Sequence, residues 1–256
     1  MRGMPLFTGV GVALVTLFRE DGAVDAPATA GLAAQLVDLG VRCVLVAGTT
    51  GEAAALTAEE RDALVGAVRA ALPAEVPVLA GTGAATGRQA AELTGRAFAV
   101  GADAVLALSP PGVPDPRPYY AAVAEAATGP LLAYHFPTAS APGIPVDLLP
   151  DLPVSGLKDS SGDAGRLLHE CDVFTGDLYT GAASLVGVCG SIGAAGALVA
   201  AANVAPELCV AAWGGDADAQ VRLAAVDRGA SADFPAGYKR AAGERFGTSV
   251  VTRVGG

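Results

Sequence analysis

The stretch Val154-Ser155-Gly156-Leu157-Lys158-Asp159 places a charged amine at the close of a short apolar run. A lysine at the mouth of such a run is costly to bury unless it is paired or neutralised. It either snorkels to water or is kept as an amine for covalent chemistry. Similar runs recur along the chain: Val12 to Val15, Val41 to Ala47, Val76 to Ala80, Ala104 to Leu108, Leu131 to Tyr134, Asp172 to Phe174 and Gly193 to Leu198. Several are apolar on both sides, as in parallel strands covered on both faces.

Helical stretches separate them. Asp25 to Leu39 opens on an N-capping Asp with Pro27 in the first turn. Thr57 to Ala71 opens with a capping box closed by Glu60. Thr86 to Val100, Asp115 to Ala127 and Asp163 to Glu170 continue the alternation. The rhythm predicts a (β/α)8 TIM barrel over 1–202, with an open doubly wound sheet as its rival. Residues 203–256 read as a helical extension built from Pro206 to Trp213, Asp216 to Asp227 and Phe234 to Phe246.

Composition narrows the function. The chain has 256 residues, 52% of them apolar, and a formal net charge of −10. Its only lysines are Lys158 and Lys239, so no basic stripe is available to neutralise nucleic-acid phosphates. The most apolar stretch, Ile192 to Ala202, is too short to span a bilayer. Met1 to Pro5 carries no export signal, which predicts a cytoplasmic protein. Cys43, Cys171, Cys189 and Cys209 read as buried thiols, and with only His135 and His169 beside them no zinc site is expected.

In a barrel of this kind, reactive groups collect at the C-terminal ends of the strands. Gly48-Thr49-Thr50-Gly51-Glu52 offers backbone N–H groups and hydroxyls suited to a carboxylate, although locally it also reads as a plain turn. Gly81-Thr82-Gly83 could widen the mouth or merely turn the chain. Tyr134 could move protons at a substrate oxygen, or cap the barrel as an aromatic. His135 should point away from it by strand alternation. A desolvated Lys158 amine could attack a ketone and form an iminium, with the threonine loop and Tyr134 as carboxylate cradle and proton relay.

This constellation resembles the dihydrodipicolinate synthase and N-acetylneuraminate lyase family of pyruvate-dependent class I aldolases. The resemblance runs from Pro5 to Arg253 and rests on Gly48 to Glu52, Tyr134-His135-Phe136-Pro137, Gly156-Leu157-Lys158-Asp159, Phe174-Thr175-Gly176-Asp177 and Ala202 to Glu207. It implies that Lys158 forms the Schiff base, that Tyr134 and Thr50 relay protons, and that substrate meets Gly48, Thr49, Thr50, Gly83, Ala139 and Leu198. It implies no metal and no organic cofactor, a 2-keto acid and an aldehyde as small-molecule partners, and a homo-oligomer, dimer or tetramer.

Three departures stand out. Ser109-Pro110-Pro111-Gly112-Val113 lacks the tyrosine pair that synthase members carry after the fourth strand, and Tyr119 and Tyr120 come later. Ala139 stands where those members place an arginine for a second carboxylate. Many relatives also continue for tens of residues beyond the position of Arg253. The expectation is an aldolase or lyase acting on a sugar-derived 2-keto acid. The alternatives are 4-hydroxy-tetrahydrodipicolinate synthase, a 2-keto acid dehydratase, and a non-catalytic keto-acid-binding relative.

Overall fold

Eight parallel strands close on themselves in chain order, each hydrogen-bonded to the next and the eighth to the first. The computed structural model describes residues 4–254, so Met1 to Gly3, part of the segment expected to lack an export signal, and the last two residues of the expected extension lie outside the described residues. The strands are β1 (Gly9–Ala13), β2 (Cys43–Val46), β3 (Val78–Gly81), β4 (Ala104–Leu108), β5 (Leu131–His135), β6 (Gly156–Asp159), β7 (Asp177–Thr180) and β8 (Gly196–Val199). Around them run α1 (Ala26–Asp38), α2 (Ala58–Ala71), α3 (Gly87–Ala99), α4 (Arg117–Ala126), α5 (Ala164–Val173) and α6 (Val186–Ile192). The extension supplies α7 (Pro206–Trp213), α8 (Ala217–Ser231) and α9 (Ala236–Phe246).

Two apolar layers hold the barrel. Inward side chains such as Leu45, Leu79, Leu106, Leu132 and Leu198 fill its interior, and the second, larger cluster lies between strands and helices. Phe7 closes the lower end by stacking on Tyr179, with ring centres 4.5 Å apart. The capping box at the head of α2 is present, with Thr57 Oγ1 accepting from the Glu60 amide and Glu60 accepting from the Thr57 amide. Asp25 Oδ1 accepts from the Ala28 amide at the head of α1, and Asp163 Oδ1 from the Gly165 and Arg166 amides at the head of α5, without a reciprocal bond.

Three sequence expectations are corrected. Asp172 to Phe174 is not a strand but the end of α5, because Leu167, Cys171 and Phe174 recur at helical spacing onto the same face; the seventh strand is Asp177–Thr180. Helix α6 escaped the sequence reading because Gly187 and Gly190 lower its propensity. A Cβ on Gly190 would come within 2.2 Å of the Trp213 carbonyl oxygen, so the glycine permits close packing on α7. Helix α8, expected to end at Asp227, runs on through Arg228 to Ser231, with Gly229 facing open space and Ala230 buried.

Candidate active site

Lys158 and Tyr134 are register partners on neighbouring strands. They therefore point the same way from the sheet, and Lys158 Nζ lies 4.4 Å from the Tyr134 ring centre. Lys158 is the third residue of β6 rather than a residue beyond its end, which holds its Cα rigidly in the ladder. The side chain is 4% exposed. Burial lowers its amine to about 7, so a large fraction is unprotonated near neutrality.

Tyr134 is held from two sides. Its hydroxyl lies 3.3 Å from Ser160 Oγ and bonds to the Thr49 side chain. Burial raises its phenol to about 12, so it remains a proton donor across the physiological range. Phe136 stacks on its ring at 5.8 Å.

The threonine loop begins where Ala47 takes a left-handed backbone, φ 53, at the end of β2. That turn lets Gly48 O accept from both the Gly51 and Ala53 amides, and Gly51 O accepts from Thr16 Oγ1 at 2.7 Å. Thr49 and Thr50 are thereby presented to a cavity of about 300 Å³ that also reaches Tyr134 and Lys158. Glu52, φ 57, anchors the loop from below. Its carboxylate pairs with the fully buried Lys239 of α9 and accepts from the amides of Arg253 and Val254 at 2.7 Å each.

The remaining expected residues fall elsewhere. Gly48 and Gly83 line a smaller hollow beside the cavity, shared with Thr49 and Tyr134. A Cβ on Gly83 would approach the Leu108 amide nitrogen to 2.7 Å, so β3 and β4 meet closely there. Leu198, expected to meet substrate, is packed inside the barrel and is not among the residues lining the cavity. Its inward direction on β8 was readable, but its depth below the mouth was not. Ala139 is exposed in the turn after β5 and also does not line the cavity. His135 is buried away from it, with Nδ1 accepting from the Ile144 amide at 2.8 Å. Tyr119 and Tyr120 do not replace the missing tyrosine: their hydroxyls bond the Ala84 amide and the Ala107 carbonyl.

Two features went unread in the sequence. Gly181 lies against the lysine, since a Cβ there would sit 2.8 Å from Lys158 Cε and 1.8 Å from Ser160 Oγ. The C-terminal helices contribute Asp227, Ser231, Phe234 and Tyr238 to the cavity wall. Among the described residues no His, Cys, Asp or Glu cluster is arranged to hold a metal, and no helix is long and apolar enough to cross a membrane. Cys43, Cys189 and Cys209 are buried and Cys171 is half-buried.

An amine lowered by burial beside a phenol raised by burial, at the C-terminal mouth of a parallel barrel, is an arrangement suited to imine chemistry. Residues 6–224 match the Dihydrodipicolinate synthetase family, and the chain belongs to it, a family of pyruvate-dependent class I aldolases. It is accordingly an enzyme of the lyase class, and the non-catalytic reading falls away. It is 37% identical over 211 residues to an uncharacterized DapA-like lyase of Halobacterium salinarum, covering 79% of this chain and 69% of that one. It is 33% identical over 233 residues to the 4-hydroxy-tetrahydrodipicolinate synthase of Nitrosomonas eutropha, covering 82% and 77%. Among solved structures it resembles YagE, a prophage protein of the dihydrodipicolinic acid synthase family from E. coli K12 crystallised with pyruvate. The TM-score is 0.91 at 27% identity, covering 98% of this chain and 93% of that one.

Proposed function

We propose that Lys158 Nζ attacks C2 of pyruvate, that water leaves to give a protonated imine (iminium), and that loss of a C3 proton gives a neutral enamine, which adds to an aldehyde as the aldehyde oxygen takes up a proton and the iminium re-forms. Hydrolysis of the product imine returns the free amine. The observation carrying this reading is the paired placement of Lys158 and Tyr134 at one strand-end level, with the amine lowered by burial. Tyr134, hydrogen-bonded to Thr49, would pass the protons that imine formation and aldehyde addition require. Thr49 and Thr50 would hold the pyruvate carboxylate.

For the aldehyde, relatives named 4-hydroxy-tetrahydrodipicolinate synthase support aspartate semialdehyde over the sugar-derived substrate first expected. One observation favours the sugar-derived reading: Ala139 supplies no guanidinium, and Arg61, the arginine nearest the hollow, donates to the carbonyls of Gly81 and Ala53. Product analysis decides between them. Consumption of pyruvate with aspartate semialdehyde supports the synthase; pyruvate release from a 2-keto-3-deoxy sugar acid with no condensation rejects it. The family resemblance also supports a cytoplasmic homo-oligomer, dimer or tetramer, which sedimentation would measure.

A further inference from the structure

One wall of the cavity above Lys158 comes from the C-terminal extension, and it carries a single acid. Asp227, half-buried near the end of α8, lines the cavity beside Ser231 and Tyr238. The Tyr238 hydroxyl donates to Asp227 Oδ1. Tyr238 is itself buried on α9 and packed edge-on against Phe234, ring centres 6.0 Å apart. The carboxylate is thus anchored through one oxygen, and no hydrogen bond among the described residues engages Oδ2. Burial raises the Asp227 carboxyl, as expected of a group turned partly from water.

Among the described residues lining that cavity Lys158 is the one cationic side chain, and its nitrogen is neutral in the enamine that meets the acceptor. Arg228, exposed beside it on α8, lowers the Asp227 carboxyl less than burial raises it, so an acceptor ending in a carboxylate would still meet a like charge at the cavity wall, an efficient way to reject a ligand. An acceptor ending in a hydroxyl or an ammonium would instead donate to Oδ2.

We propose that Asp227 of the C-terminal extension is a specificity-determining residue for the reaction at Lys158, receiving a hydrogen-bond donor, hydroxyl or ammonium, on the far end of the acceptor aldehyde. Tyr238 is its positioning residue. The inference rests on the pyruvate imine proposed above and adds the chemical class of the acceptor. It makes a helix outside the barrel part of the selectivity of the barrel mouth.

Three acceptors test it with full-length protein and pyruvate: glyceraldehyde (hydroxyls), aspartate semialdehyde (ammonium and carboxylate) and succinic semialdehyde (carboxylate alone). Wild type should prefer the first two to the third in kcat/KM. Asp227→Asn and Tyr238→Phe should both still form the borohydride-trapped pyruvate adduct. Asp227→Asn should shrink the preference for aspartate over succinic semialdehyde by about tenfold or more, since a buried acceptor matched to a donor discriminates strongly. Asp227→Ala should do the same for glyceraldehyde, and Tyr238→Phe should have a smaller effect. Unchanged ratios in both Asp227 variants overturn the assignment. So does a wild type that traps pyruvate but prefers succinic semialdehyde or consumes none of the three. Loss of the adduct itself in Asp227→Asn, with Tyr238→Phe keeping its ratios, would also overturn it, because Asp227 would then act on the lysine. No adduct in wild type fails the imine reading, and the inference falls with it.

Discussion

Lys158 and Tyr134 face each other across adjacent strands β6 and β5 at paired register, amine to ring centre 4.4 Å. The spacing is fixed by backbone hydrogen bonds rather than by loops, so the geometry is as rigid as the barrel itself. Rigid placement of a nucleophile and a proton donor is the condition under which imine chemistry gains from proximity.

The amine titration gives a pH signature. Only unprotonated Lys158 is nucleophilic, so the rate of imine formation should rise with pH and level off above about 7. The stability consequence has the same origin. The folded amine holds its proton less tightly than the unfolded one, so between about 7 and the usual 10.5 the unfolded chain binds more protons. The contribution of Lys158 to stability therefore improves as pH rises through that window and is worst below it. Lys158→Met should stabilise the fold at pH 7, by an amount on the order of the 1–4 kcal/mol found when buried ion pairs are replaced by apolar side chains. Chemical denaturation at pH 7 and pH 10 checks both the sign and the narrowing of the difference.

Gly181 controls the lysine by absence of a side chain. In Gly181→Ala the new methyl would collide with Ser160 Oγ and press on Lys158 Cε. A displacement on the order of 1 Å at the reacting atom costs about 100-fold in rate. The variant should fold, with a Tm near wild type, yet trap pyruvate about 100-fold more slowly.

Tyr134→Phe separates proton transfer from binding. Removing a positioned acid–base group typically costs about 100- to 10,000-fold. The variant should still accumulate adduct over long incubation, while its turnover with aldehyde falls within that range. Equal loss of adduct yield and turnover would assign Tyr134 to packing instead.

Glu52 and Lys239 tie the threonine loop to the extension through a buried ion pair. Lys239→Met removes the ion-pair partner of Glu52, leaving it, among the described residues, only the Arg253 and Val254 amides, and should cost about 3–5 kcal/mol. Glu52→Gln combined with Lys239→Met should recover part of that loss. A double-mutant cycle by urea denaturation measures the coupling.

The sequence carried the barrel through its period. Doubly apolar runs such as Ala104 to Leu108 coincide with strands because both faces are covered. Residues 172–174 misled because a short apolar run does not distinguish a strand from the buried face of a helix. Lys158, Tyr134, Thr49 and Thr50 stood out in the sequence because strand-end position and reactive residue type coincide, and the structure brings the four to one cavity. That Leu198 and Ala139 fall outside this cavity's lining could not be read, since depth within a barrel and the path of a turn depend on tertiary packing. Asp227 and Gly181 left no signal, because their roles arise only when α8 and β7 are folded over the mouth.

Trapping with borohydride tests the central claim most directly. The chain has two lysines, so a reduced pyruvate adduct can fall only on Lys158, on the ion-paired Lys239 or on the amino terminus. Intact mass followed by peptide mapping should show one adduct, on the peptide containing Lys158, and none in Lys158→Ala. An adduct that persists in Lys158→Ala, or no adduct in wild type, would contradict the account.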